Sequence, residues 1–164
     1  MGIIQQGIPK DITITLAKLY DIDVFCETGT GYGGTSRWAS DNFSEIYTIE
    51  KSEYLLNHNK EILTAANITA YLGDSRDKLP SIIKMNEYKN ILFWLDGHYS
   101  GGYTAGEEDP CPLMGELDII LKRTNDDIIL IDDARSFLDS ECYPTVKDIM
   151  DKITNSGGGA CGLW

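Results

Sequence analysis

The stretch "FCETGTGYGGTSRW", Phe25 to Trp38, joins a short apolar run to an acid, a turn with glycine at alternate positions and a segment of helical composition. Gly29, Gly31 and Gly34 fit G-x-G-x-x-G, while Glu27, Gly29, Gly31 and Gly33 fit E-x-G-x-G-x-G. Either spacing predicts a strand turning tightly into a helix, with a ligand brought close to bare backbone. In a dinucleotide site such glycines bring a pyrophosphate to the helix, and an acid about 20 residues on binds the ribose. Glu50 stands at that distance and serves the ribose role for either kind of ligand. Glu27 discriminates, because an anion directly before the turn faces a pyrophosphate unfavourably but suits a positively charged amino-acid moiety. No Gly-Lys-Ser or Gly-Lys-Thr follows the turn, which argues against nucleoside triphosphate hydrolysis.

Outward from this turn, apolar runs of strand length recur at Asp23–Glu27, Glu45–Glu50, Ile68–Gly73, Asn90–Asp96 and Asp127–Asp132. Segments with helical spacing separate them, at Pro9–Tyr20, Gly34–Asn42, Ser52–Ala66, Ser75–Tyr88, Pro112–Arg123 and Pro144–Ile153. Strict alternation, with strands apolar on both faces, predicts an α/β fold: a mostly parallel sheet covered by helices on each side. In such sheets the ligand lies outside the carboxyl ends of the strands. The expected strands end in Glu27, Glu50, Asp74 (through Gly73), Asp96 and the pair Asp132-Asp133, so every strand delivers a carboxylate to one edge. Acids crowded on an edge repel one another, which favours a ligand rich in hydrogen-bond donors, or a cation.

The 164 residues, 42% hydrophobic and 24% charged, predict one domain with one core. A formal net charge of −12 disfavours binding to nucleic acid, whose phosphates the protein's own field repels, and points to a small molecule or a cation as partner. Cys26, Cys111, Cys142 and Cys161 form no C-x-x-C pair and read as free thiols of a reducing compartment. The start "MGIIQQGIPKD" has no basic region leading into a long apolar stretch, and no segment approaches the roughly 18 apolar residues of a membrane span. A cytoplasmic protein without a membrane segment is the expectation.

With these residues in view, the sequence resembles the class I, Rossmann-like S-adenosylmethionine-dependent methyltransferases. The resemblance rests on "ETGTGYGG", "YTIEKS", "LGDS" and "LFWLDGH" in that order and runs from about Phe25 to Asp133. It implies a three-layer αβα sandwich and a single methyltransferase-like domain over 1–164. By the same resemblance the Gly29, Thr30, Gly31 and Gly33 backbone would lie along the methionine part of S-adenosylmethionine, with Glu27 near its ammonium. Glu50 followed by Lys51 would meet the ribose, Gly73, Asp74 and Ser75 the adenine, and Asp96 the region of the donor methyl.

Asp96, Asp132 and Asp133 form a second constellation, because neighbouring parallel strands bring them within a few ångströms of one another. All-oxygen ligation of this kind suits Mg²⁺, Mn²⁺ or Ca²⁺. The arrangement looks like the metal-dependent O-methyltransferases that act on catechols and sugar hydroxyls, including the macrocin-type enzymes. There the cation binds the acceptor hydroxyl and lowers its pKa. Alternatively, Asp96 serves the donor methyl without a metal, and Asp132-Asp133 caps a turn. His98, two residues after Asp96, reads as a general base or a further ligand.

Between Gly97 and Leu113 runs a glycine- and proline-rich loop whose Tyr99 and Tyr103 suit contact with a sugar or aromatic acceptor. Glu107, Glu108, Asp109 and Glu116 read as acids that keep this loop solvated, with added ligands as the alternative, and Arg135 as a salt-bridge partner of Asp133 or, alternatively, a contact to an anionic acceptor. The family normally adds two more strands after the fifth, the last antiparallel, whereas "TNSGGGACGLW" offers no such pair. The expectation is a sheet lacking its usual last two strands, a flexible tail from about 155 to 164, and an edge completed by pairing with a second copy across the fifth strand. The expected function is divalent-metal-assisted O-methylation of a small hydroxylated acceptor. An NAD-dependent oxidoreductase and a non-catalytic cofactor-binding module are the alternatives.

Overall fold

The computed structural model describes residues 7–98, 111–133, 137–138, 143–156 and 161–163. Tyr99, Tyr103, Glu107, Glu108, Asp109, Arg135 and Cys142 lie outside them. In chain order the elements are α1 (Lys10–Leu19), β1 (Val24–Thr28), α2 (Gly34–Ser40), β2 (Glu45–Glu50), α3 (Glu53–His58), a 3₁₀ turn (Ile62–Thr64), β3 (Ile68–Leu72), α4 (Ser75–Met85), β4 (Ile91–Leu95), α5 (Leu113–Ile120), β5 (Ile128–Ile131), α6 (Val146–Asn155) and β6 (Cys161–Leu163). The strands form one sheet in the order β3-β2-β1-β4-β5-β6, and every neighbouring pair is parallel.

Burial explains why these apolar runs became central strands. All residues of β1, β4 and β5 are buried, as two-sided coverage by helices requires. On one face Val24, Cys26, Phe93 and Ile131 pack with Leu79 and Ile82 of α4, Leu117 and Ile120 of α5, and Ile149 and Ile153 of α6. On the other, Phe25, Ile46, Leu92, Trp94 and Leu130 pack with Ala17 of α1 and Ala39 of α2. Each large side chain removed from water in this way contributes roughly 1.5–3 kcal/mol. The result is the expected three-layer αβα sandwich, and the chain reverses direction across the sheet between β1 and β4, where such folds bind ligands.

Two departures from the expected elements have local causes. The helix expected over Ser52–Ala66 stops at His58, because Asn59, only 2% exposed, turns its amide to the carbonyl of Gly31. The tail carries a sixth strand that the sequence did not suggest: Cys161–Leu163 pairs with Ile129–Ile131. Three residues with glycine at their centre hold no readable periodicity, and the open β5 backbone supplies the pairing instead. The β5 edge expected to face a second copy is therefore covered by the chain itself. The usual additional pair ending in an antiparallel strand is not found among the described residues. No helix among them is long and apolar enough to cross a membrane.

The glycine turn is built against β4. Gly29 has φ +81°, and a Cβ there would stand 2.2 Å from the Asp96 carbonyl oxygen. Gly31 also has positive φ, +52°, yet a Cβ there would meet nothing within 4 Å. Gly29→Ala should therefore cost about 2–4 kcal/mol through strain plus overlap, and Gly31→Ala only about 1–2 kcal/mol through strain alone. Denaturant unfolding of both variants checks this, and equal losses would contradict the close approach of the turn to β4.

Candidate functional site

Parallel pairing continues one residue beyond each central strand. Gly29 donates its amide to the Ile49 carbonyl (2.9 Å), Gly73 to Glu50 (2.9 Å), Asp96 to Thr28 (3.0 Å) and Asp132 to Leu95 (3.0 Å). These bonds set the glycine turn, the Gly73-Asp74 bend, Asp96 and Asp132 side by side on the edge expected from the sequence.

Glu50 braces the turn from β2. Its carboxylate accepts the Gly31 amide at 3.0 Å through Oε2 and the Ser52 amide at 2.7 Å through Oε1. Thr30 Oγ1 lies 2.6 Å from Thr48 Oγ1, and the Gly33 amide closes the turn on the Thr30 carbonyl at 2.8 Å. Glu27 lies beneath. It is 1% exposed and accepts hydrogen bonds from Ser36 and from Thr48, the latter at 2.8 Å. Burial outweighs these bonds and pushes its carboxyl up to about 8. The anion read from the sequence is thus a protonated acid at neutral pH, because the strand that carries it is dry on both faces.

Asp74 caps α4, accepting the Arg76 amide at 3.0 Å and the Arg76 side chain at 2.8 and 2.9 Å, with Lys51 at 3.1 Å. The Arg76 hydrogen bonds hold its carboxyl well below the usual range. Lys51 and Asp74, both expected at the cofactor, are therefore bonded to each other. Ser75 is 8% exposed at the first position of α4.

On the other side of the switch point His98 lies between two carboxylates, with Nδ1 3.2 Å from Asp96 and Nε2 3.1 Å from Asp133. Asp96 holds the imidazole pKa above its ordinary value, with Asp133 and Asp132 adding to the effect. Asp132 accepts the Asp133 amide at 2.8 Å, and burial, followed by the charge of Asp96, pushes its carboxyl up. Asp133 adopts φ +54°, a strained conformation for a residue with a side chain. Among the described residues no group of three or more His, Cys, Asp or Glu side chains is placed to hold a metal ion. The three aspartates do share one edge, but a histidine stands between Asp96 and Asp133 where the sequence reading put a cation.

One residue of the site reads differently in the structure. Glu116, expected among solvated acids, is 1% exposed on α5. Its neighbours Leu113, Leu117 and Ile120 are buried with it in an i, i+3, i+4, i+7 stripe. That stripe is visible in the sequence and is the signal that places Glu116 inward. Burial pushes its carboxyl up to about 7.

The fold is shared with solved structures. The chain is similar to the O-methyltransferase TomG from Streptomyces achromogenes, involved in tomaymycin synthesis and solved with S-adenosylmethionine (SAM): 16% identity, TM-score 0.57, covering 93% of this chain and 68% of that one. It is also similar to a Staphylococcus aureus protein assigned as a caffeoyl-CoA O-methyltransferase, with 14% identity, TM-score 0.59 and coverage of 94% and 73%. A Klebsiella pneumoniae protein assigned as an O-methyltransferase gives 17% identity, TM-score 0.57 and coverage of 95% and 72%. No protein-family model matches the sequence, and comparison with curated proteins finds no match.

A buried acid with a raised pKa favours the folded state fully below its unfolded value of 4.5, and that contribution is lost as pH rises to about 8. Between pH 5 and 8 the native protein should lose stability that Glu27→Gln retains, the slopes differing by up to about 1.4 kcal/mol per pH unit. Denaturant unfolding across this range checks it, and parallel curves would contradict a protonated Glu27. For His98, an NMR titration should give a midpoint above the ordinary imidazole value, and Asp96→Asn should lower it. An unmoved midpoint would mean that Asp96 does not bond the ring.

Proposed function

We propose that the chain is a methyltransferase that takes its methyl group from S-adenosylmethionine and places it on a hydroxyl of a small acceptor. The observation that carries this reading is the brace between Glu50 and Gly31, which presents the glycine-turn backbone at the switch point next to Asp96 and His98. The solved O-methyltransferases of the same fold, one of them holding SAM, support it.

The residues fit the cofactor's chemistry. The Gly29, Thr30, Gly31 and Gly33 backbone, Glu50, Lys51, Gly73, Asp74, Ser75 and Asp96 would hold it, and when bound it supplies an electrophilic methyl on a cationic sulfur. Glu27 lies under the turn as a neutral acid that a cation above it would ionise, so its charge is available to the ligand at little cost in repulsion when the site is free. His98 is the residue positioned to take the acceptor's proton: in its neutral form, with Nδ1–H held by Asp96, Nε2 would accept that proton in place of its bond to Asp133.

A divalent cation at Asp96, Asp132 and Asp133 is the finer reading from the sequence; burial first, with the charges of Asp96 and Asp133 adding to it, pushes the Asp132 carboxyl up. As the described side chains stand they do not fit such an ion, because His98 bonds both Asp96 and Asp133. The reaction is therefore read through His98, and no step is drawn through a metal.

Calorimetric titration with SAM and separately with NAD tests the donor. Binding of SAM in the micromolar range and none of NAD is the expected result, and Glu50→Ala should weaken SAM at least about tenfold by freeing the turn and removing an acceptor. NAD binding in preference would overturn the reading in favour of an oxidoreductase. With a panel of hydroxylated acceptors, His98→Gln should slow turnover by about 10²–10⁴ while leaving SAM affinity intact. Turnover abolished by chelator and restored by Mg²⁺ would instead establish the metal-assisted route, and SAM binding without turnover on any acceptor would favour a binding module.

A further inference from the structure

Asn59 is a buried polar residue that the proposed reaction does not use. It is 2% exposed, and its side-chain amide donates to the Gly31 carbonyl at 2.5 Å, between residues 28 apart in the chain. Gly31 is thereby held at both of its backbone groups, since its own amide donates to Glu50 at 3.0 Å. Asn59 is itself fixed: its backbone amide donates to the Leu55 carbonyl at 3.1 Å, and its carbonyl accepts the amides of Ile62 and Leu63, each at 3.0 Å. One residue thus closes α3 and opens the 3₁₀ turn. The same segment meets the glycine turn a second time, for a Cβ on Gly33 would lie 3.2 Å from Ile62 Cγ2 and 3.7 Å from Asn59 Cβ. A Cβ on Gly31 or Gly34, by contrast, would meet no described atom within 4 Å. The turn rests on Asn59 and Ile62 along one side and is open at Gly31 and Gly34.

Burying a side-chain amide costs free energy unless its donors are used. Here the donor sets one peptide plane. The bond joining Gly31 to Tyr32 is trans, so its carbonyl and its N–H point in opposite directions. With the carbonyl drawn to Asn59, the Tyr32 N–H is directed away from Asn59. Gly31, at φ +52° and without a Cβ, resists rotation of this peptide less than any other residue would. A donor on the carbonyl keeps the plane from turning over. Glu50 cannot do this, because the amide it accepts belongs to the preceding peptide.

We propose that Asn59 is a positioning residue for the cofactor: its bond to the Gly31 carbonyl fixes the peptide between Gly31 and Tyr32 so that the Tyr32 N–H donates to the carboxylate of the bound methionine moiety. The identity of the ligand rests on the methyltransferase reading, whereas the orientation of the peptide rests on Asn59. The two side chains divide the turn between them, Glu50 fixing the peptide before Gly31 and Asn59 the one after it. A donor aimed in advance at an anionic oxygen binds it more tightly than one that must be turned into place, because the fold has already met the cost of ordering it. Asn59 acts through this peptide and takes no part in the transfer of the methyl group.

SAM and its decarboxylated analogue form a matched pair that differs only in this carboxylate, and calorimetric titration of the full chain with each tests the role. The native protein should bind SAM at least about tenfold more tightly than the analogue. Asn59→Leu, which keeps the bulk and loses the donor, should narrow that preference to about threefold or less, chiefly by weakening SAM. A merely structural role would weaken both ligands alike and leave the preference intact. In the native protein the Tyr32 amide proton should move downfield when SAM binds and stay in place with the analogue, a signature that an NMR titration reads without any variant if Asn59→Leu does not fold. Equal native affinity for the two ligands, a preference untouched in Asn59→Leu or a Tyr32 amide indifferent to SAM would each overturn the proposal, with the methyltransferase reading left standing by the SAM that binds. Binding of neither ligand to the native protein would instead remove the methyltransferase reading, and the role of Asn59 with it.

Discussion

The hydrogen bond from the Asp96 amide to the Thr28 carbonyl, 3.0 Å long, ties the end of β4 to the end of β1 just where the chain reverses direction across the sheet. The rest of the site depends on it. It brings the Asp96 carbonyl so near Gly29 that only a residue without a side chain fits, and so commits the turn to glycine. It also sets Gly97 against Thr28 and Glu116, and His98 between Asp96 and Asp133. One backbone bond in a parallel ladder thus aligns the glycine turn and the proposed proton acceptor.

Electrostatics then shape what this frame can hold. The edge gathers carboxyls, and the structure relieves the crowding in three ways: tighter proton binding at Glu27 and Glu116, ion pairing at Asp74, and a histidine bridge at Asp96 and Asp133. Each follows from local dryness or a nearby cation.

Much of the site was legible because parallel strands impose order. A strand buried on both faces must read as an unbroken apolar run, and the residue that ends it must lie on the carboxyl edge of the sheet, so Glu50, Asp96 and Asp132 were placed by counting, while Glu27 fell one residue inside β1 and beneath the turn. The same reasoning missed Glu116, since an acid close to other acids reads as solvated unless its stripe with Leu113, Leu117 and Ile120 is weighed first. It also missed Asn59, a polar residue that ends a helix in order to hold the Gly31 carbonyl.

By itself the sequence determined the alternation of strands and helices, the glycine turn and the row of carboxyls, because each depends on spacing along the chain and on hydrophobic periodicity. Tertiary structure alone decided which acids bind their protons more tightly, that His98 stands between Asp96 and Asp133, that Glu116 is buried, and that Cys161–Leu163 completes the sheet as a sixth strand. These depend on desolvation and on contacts between residues far apart in the chain. Neither quantity is written in local sequence, because both arise only when the layers close on one another.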